Sequence, residues 1–141
     1  MRNLIHLSFL SPLKDFAVAF LRILTGGFLV HGVWDNVTSP ARMDEFEAFL
    51  TQFGFPMVEL MAPLSVYTQL IAGLGLVFGL LTRWAGVLVT ANFVVAMLMV
   101  HLNDEFRAMW PAFVLVAIGA YFATAGGGRF ALDRLVLSRK S

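Results

Sequence analysis

The chain has no cysteine among its 141 residues. That excludes structural disulfides, thiolate metal sites and the paired-cysteine chemistry of disulfide-generating membrane enzymes. Charge is scarce too: Asp, Glu, Lys and Arg make up 13% of the residues, against about 25% in a typical soluble domain. With 59% apolar residues and a mean hydropathy of +0.80, a chain of this length cannot hide its apolar surface in any water-soluble fold. Strand-like alternation is missing, which excludes a transmembrane barrel. Linkers, internal repeats and low-complexity segments are missing as well. No clustered basic surface of the kind that holds nucleic acid is present.

In their place stand four apolar runs, at 16–37, 58–81, 84–102 and 109–125. A helix needs roughly 20 mostly apolar residues to cross the hydrocarbon layer, where its backbone groups must be satisfied internally. The expected fold is therefore all-α, a single integral-membrane domain of four spanning helices with a short tail at 126–141. The stretch 1–14 is apolar around Leu4, Ile5, Leu7, Phe9 and Leu10, lacks a small-residue cleavage site and contains Pro12. It reads as a retained segment at the interface and not as a signal peptide.

Four spans put both termini on one side, together with the turn near 81–84. Arg2, Lys14, Arg83, Arg129, Arg134, Arg139 and Lys140 lie on that side, and only Arg42 and Arg107 lie in the opposite loops. The excess of basic residues predicts cytoplasmic termini. Acidic Asp44, Glu45, Glu47, Asp104 and Glu105 give the outer side its character.

The longest connection carries a pattern of its own. Ser39 precedes Pro40, Phe46, Phe49, Leu50 and Phe53 recur at helical spacing, and Gly54 and Pro56 follow. This predicts an amphipathic helix over 40–53. Two readings are open, a helix resting on lipid headgroups and a lid over an outward-facing pocket. The tail 129–139 repeats the pattern more weakly and suits an interfacial anchor.

Ionisable and amide side chains inside spans cost free energy, which makes them site candidates. His31 and Asp35, four residues apart, share one face of the first helix, where a carboxylate orients an imidazole for proton transfer. The alternative is a hydrogen-bonded pair that closes the outer end of the bundle. Tyr67, Thr68 and Gln69 lie near the middle of the second span, Asn92 near the middle of the third and His101 near its outer end. Together with His31 and Asp35 they are expected either to line one outward-facing cavity or to form separate interhelical contacts. Arg22 lies about 10 Å into the layer by helical rise, half a turn out of phase with His31. Its readings are an internal ion pair or anchor, and contact with an anionic or quinone-like headgroup.

Glycines 26, 27, 32, 73, 75 and 79 suit close helix packing. A minority reading makes His31 and His101 axial ligands of a b-type haem. No other metal site is expected.

The order of motifs resembles the DoxX-like family of small bacterial four-helix membrane proteins. Arg22-x3-Gly26-x4-His31-Gly32 stands on the first helix, and Gly79-Leu80-Leu81-Thr82-Arg83 ends the second. His101-Leu102 closes the third, and Gly128-Arg129-Phe130-Ala131-Leu132-Asp133 follows the fourth. Gln69 departs from a family pattern that often has glutamate there. The resemblance implies membership of a group that includes a subunit of a thiosulfate:quinone oxidoreductase, other proteins of membrane redox complexes and oxidative-stress defence, and distant relatives that assist membrane-protein assembly or cargo export.

Two functions from different classes follow. The first is a redox-linked membrane subunit that binds a quinone or similar lipophilic molecule in the outer half of the bundle. His31 and Asp35 then handle protons, His101 and Gln69 contact the ring, and Asn92, Arg22 and Tyr67 are further ligand-binding candidates. Electrons have to come from a partner protein or a bound cofactor. The second is a non-enzymatic assembly or stabilising factor for another membrane protein. Both imply a bilayer and a membrane or membrane-associated partner, with a homo-oligomer as a further arrangement. Small-solute transport is a third, weaker reading, since neither broken helices nor a repeat is evident.

Overall fold

Of the chain, residues 7–138 are described by a computed structural model. The readings that involve Arg2, Leu4, Ile5, Arg139 and Lys140 lie outside the described residues. The fold is 83% helical, without strands among the described residues, and four of its helices are long and apolar enough to span a membrane. The spanning helices are α1 (Lys14–Thr38), α3 (Val58–Phe78), α4 (Thr82–Met99) and α5 (Phe106–Ala125). Between the first two lies the amphipathic helix α2 (Pro40–Gln52), and a short helix α6 (Leu132–Ser138) follows the last span. Ser8–Leu13 forms a 3₁₀ segment ahead of α1.

Each span turns a narrow face inward. On α1 this face comprises Val18, Arg22, Thr25, Gly26, Leu29 and Val33, a helical repeat of three and four residues. Leu29, Leu76, Val89 and Phe122, one from each span, are at most 1% exposed and form the centre of the core. Phe20, Leu24, Phe28, Leu60 and Leu98 point outward, as expected where lipid is the solvent.

Two pairs of spans approach closely through facing glycines. A methyl group on Gly26 would lie 2.5 Å from the carbonyl oxygen of Gly73, and one on Gly73 would lie 2.9 Å from that of Gly26. Gly86 and Gly119 repeat the arrangement between α4 and α5, at 2.6 and 2.9 Å. Backbone-to-backbone contact of this kind lets dispersion act over a long stretch where no hydrophobic effect drives association. By contrast, Gly27 and Gly32 face open space.

The turn after α3 differs from the expected span end at 81. Gly79 adopts φ +69° and ends the helix, with Gly79 N–H donating to Leu76 O at 3.2 Å and Leu80 N–H to Gly75 O at 2.9 Å. This is the paired-bond helix stop that favours glycine. Gly79 therefore serves as a helix terminator, with Arg22 and Ala131 packed close against it. The Asp133 carboxylate then accepts from Leu81 N–H at 2.6 Å and Thr82 N–H at 2.8 Å, capping α4 from 51 residues away. Asp133 N–H donates to Gly79 O at 2.9 Å, which ties the segment after α5 to this turn.

Candidate ligand site beneath the outer helix

Ser39 occupies the N-cap of α2 and Pro40 its first turn, as the spacing suggests, but the serine hydroxyl makes no capping bond. Its carbonyl instead accepts from Arg42 and Met43. The phenylalanine stripe is continuous: Phe46 and Phe49 stack at 6.2 Å and Phe49 meets Phe53 at 4.9 Å. Leu50, 4% exposed, anchors the helix to the bundle.

Below α2 lies a cavity of about 440 Å³ between α3 and α4. Phe46, Phe49 and Leu50 form its roof, and Met61, Leu64, Leu88 and Phe93 are among its walls. Of the two readings for this helix, the cover over a pocket is thus the one with a cavity under it. Among the described residues, Asp, Glu, Lys and Arg do not line the cavity. Its polar groups are Ser65, Thr68, Gln69, Asn92 and His101.

Three of these groups, Gln69, Ser65 and Asn92, form an ordered chain. Gln69 Nε2 donates to Ser65 Oγ at 3.3 Å, and Ser65 Oγ donates to Asn92 Oδ1 at 2.9 Å. The bonds engage one lone pair of the Asn92 oxygen and leave its amide nitrogen as a donor, while the Gln69 oxygen accepts no bond among the described residues. At the mouth, His101 Nδ1 pairs with Asp104 Oδ2 at 2.7 Å. The carboxylate orients the imidazole ring there. The site therefore suits an uncharged, largely apolar molecule with one or two polar atoms.

The structure separates the rest of the expected cluster. Gln69, Asn92 and His101 share the cavity, but His31, Asp35, Tyr67 and Arg22 do not line it. The reason is helical phase. Leu29 and Val33 face the core, so His31 and Asp35, each two residues further on, point nearly opposite and are exposed. His31 accordingly lies outside the cavity that His101 lines, so the two do not face a common space there in which a flat macrocycle could be held. Asp35 instead borders a polar cleft of about 340 Å³ with Asn36, Arg42 and Glu45. There Arg42 Nη1 binds Glu45 Oε2 at 2.8 Å, and that bond, with the charges of Glu45 and Asp35, raises the arginine pKa. Tyr67 is 47% exposed on the far side of α3.

Arg22 lies at the opposite end of the bundle from the cavity. It is 3% exposed, packs against Gly79, and its Nη2 donates to Phe130 O at 3.3 Å. Its Nε and Nη1 make no hydrogen bond among the described residues. It joins the terminal segment to the first helix, and Asp133 acts on it only through longer-range charge.

Sequence reasoning missed Ser65 and Asp104. Both carried a signal, Ser65 four residues before Gln69 and Asp104 three after His101, the spacings at which side chains on a helical turn meet. Asp133 as a cap for α4 had no local signal, because donor and acceptor are 51 residues apart.

Four spans, a covering helix and a neutral cavity between two of the spans define a multi-pass helical membrane protein of the small-bundle class. The family model described as DoxX matches residues 17–102, from α1 through the end of α4, and the chain belongs to that family. No curated relative and no solved structure matches it.

Proposed function

We propose that the chain is a DoxX-family membrane subunit of a redox-linked system, binding a quinone or similar neutral lipophilic ring compound beneath α2. The observation that supports this is the pairing of aromatic walls with an uncharged hydrogen-bonding chain, Gln69–Ser65–Asn92, in about 440 Å³. Asn92 Nδ2 donates to a ring carbonyl, Gln69 fixes the position of the amide chain, and Phe46, Phe49 and Phe93 flank the ring. The His101–Asp104 pair takes the proton-handling role expected of His31 and Asp35, since it stands at the cavity mouth. The termini face the cytoplasm of an inner membrane and the mouth faces outward, a reading based on the basic-residue asymmetry.

Titration of the purified protein with a short-chain benzoquinone tests the site. Asn92→Leu is expected to weaken binding roughly tenfold, the usual cost of a lost buried hydrogen bond. Unchanged affinity in Asn92→Leu and His101→Leu would remove the assignment.

One observation favours a second reading, an assembly or stabilising partner of another membrane protein. The exposed face of α1 carries His31 with Gly27 and Gly32, both facing open space, and an imidazole facing lipid is costly unless another helix covers it. The chain lacks cysteine, so Gly27→Cys gives a single crosslinking position. Failure to crosslink any polypeptide in native membranes would dispose of this reading.

A further inference from the structure

The seam between α3 and α4 holds more than the outer cavity. Toward the terminal end, a second groove of about 280 Å³ is lined only by apolar residues and glycine, among them Ile71, Leu74, Phe78 and Leu88. A third cavity, of about 420 Å³, lies at the terminal end itself. The two share Leu80, Leu81 and Trp84, so an apolar trough runs directly into an end pocket of a different character.

That end pocket is basic. Arg83 and Arg134 line it, both exposed and neither in an ion pair among the described residues. Its one carboxylate among the described residues, Asp133, is already engaged by two backbone N–H groups. The pocket wall also contains Thr82, fully buried, whose hydroxyl has no partner. Arg22, with two unpaired nitrogens, adds a third positive charge behind Gly79. A basic pocket joined to an apolar trough at a membrane interface has the two-part shape of an amphiphile with an anionic head.

We propose that this is a binding site for an anionic phospholipid of the leaflet at the terminal end of the bundle. Its phosphate lies between Arg83 and Arg134, and one acyl chain lies along the α3–α4 groove past Trp84. The groove explains why a lipid and not a soluble phosphate is the occupant, because a free anion has no use for the apolar trough. The site is independent of the quinone reading and lies at the other end of the seam.

Trp84 lines both cavities and serves as reporter in a Trp34→Phe, Trp110→Phe background. The protein is placed in phosphatidylcholine nanodiscs containing a minor fraction of brominated phosphatidylglycerol or brominated phosphatidylcholine. Preferential quenching by the anionic lipid is expected. Arg83→Gln and Arg134→Gln should each lower that preference about fivefold, the effect of one basic residue at a membrane surface. Arg129→Gln, the same charge change outside the pocket, should leave it intact. Equal quenching by both lipids, or equal loss in all three variants, overturns the site in favour of a diffuse surface field. Loss of the preference on adding inorganic phosphate, but not chloride at matched ionic strength, assigns the pocket to a soluble anion and overturns the lipid.

Discussion

The seams of this bundle are built on two plans. Where α1 meets α3 and α4 meets α5, glycine faces glycine and backbone touches backbone, leaving no room for even a methyl group. Where α3 meets α4, glycines do not face each other in this way, and cavities run from under α2 to the terminal turn. The closed seams make two rigid helix pairs, and the open seam is the space between them. In a bundle with little polar surface, a cavity arises where packing is withheld, and the glycine pairs determine which seam that is.

The largest test breaks a closed seam. Gly86→Leu puts side-chain atoms into the Gly119 carbonyl and the Phe122 backbone, neither of which can rotate away. It should cost about 3 kcal/mol or more, the upper range for overpacking, seen as a lower midpoint in detergent unfolding followed by circular dichroism. A wild-type midpoint would mean that the seam is looser than described.

Next comes the turn that bounds the open seam. Asp133→Ala removes the acceptor for two N–H groups of α4 and should cost about 1–2 kcal/mol, with Asp133→Asn between it and wild type. If the two variants unfold alike, the carboxylate charge contributes nothing beyond its position.

Filling the open seam should do the reverse of filling a closed one. Ala91→Phe points a ring into the outer cavity from α4. It should abolish quinone binding while changing stability by less than about 1.5 kcal/mol, as tolerated hydrophobic changes do. A collapse comparable to Gly86→Leu would erase the distinction between seams. The smallest effect belongs to Gly27→Ala, on a face with nothing within 4 Å: relief of glycine's helical penalty should leave stability unchanged or raise it by about 0.5–1 kcal/mol. A clear loss in native membranes, absent in detergent, would reveal a partner on that face.

Hydropathy made the four spans and the outer helix legible, because length and periodicity are local properties. The site was legible only in part. Gln69, Asn92 and His101 could be placed at related depths by counting turns, but rotation about each axis decides which side chains converge, and no residue count supplies it for neighbouring helices. His31 and Asp35 failed on that point. Their spacing was right for a pair, but Leu29 and Val33 had already claimed the inward face of α1. Arg22 could be assigned to the opposite side from His31 by phase alone. Its contact with the Phe130 carbonyl, 108 residues away, could not.

That last contact bears on the order in which the protein is made. Synthesis delivers α1, α3 and α4 to the membrane before residues 130–133 exist. Until those residues emerge, Arg22 lacks its carbonyl acceptor and the first turn of α4 lacks its cap. The early helices can insert and meet, but their shared end stays unlatched until residues 130–133 arrive, so the bundle is fastened only after its fourth span has been made.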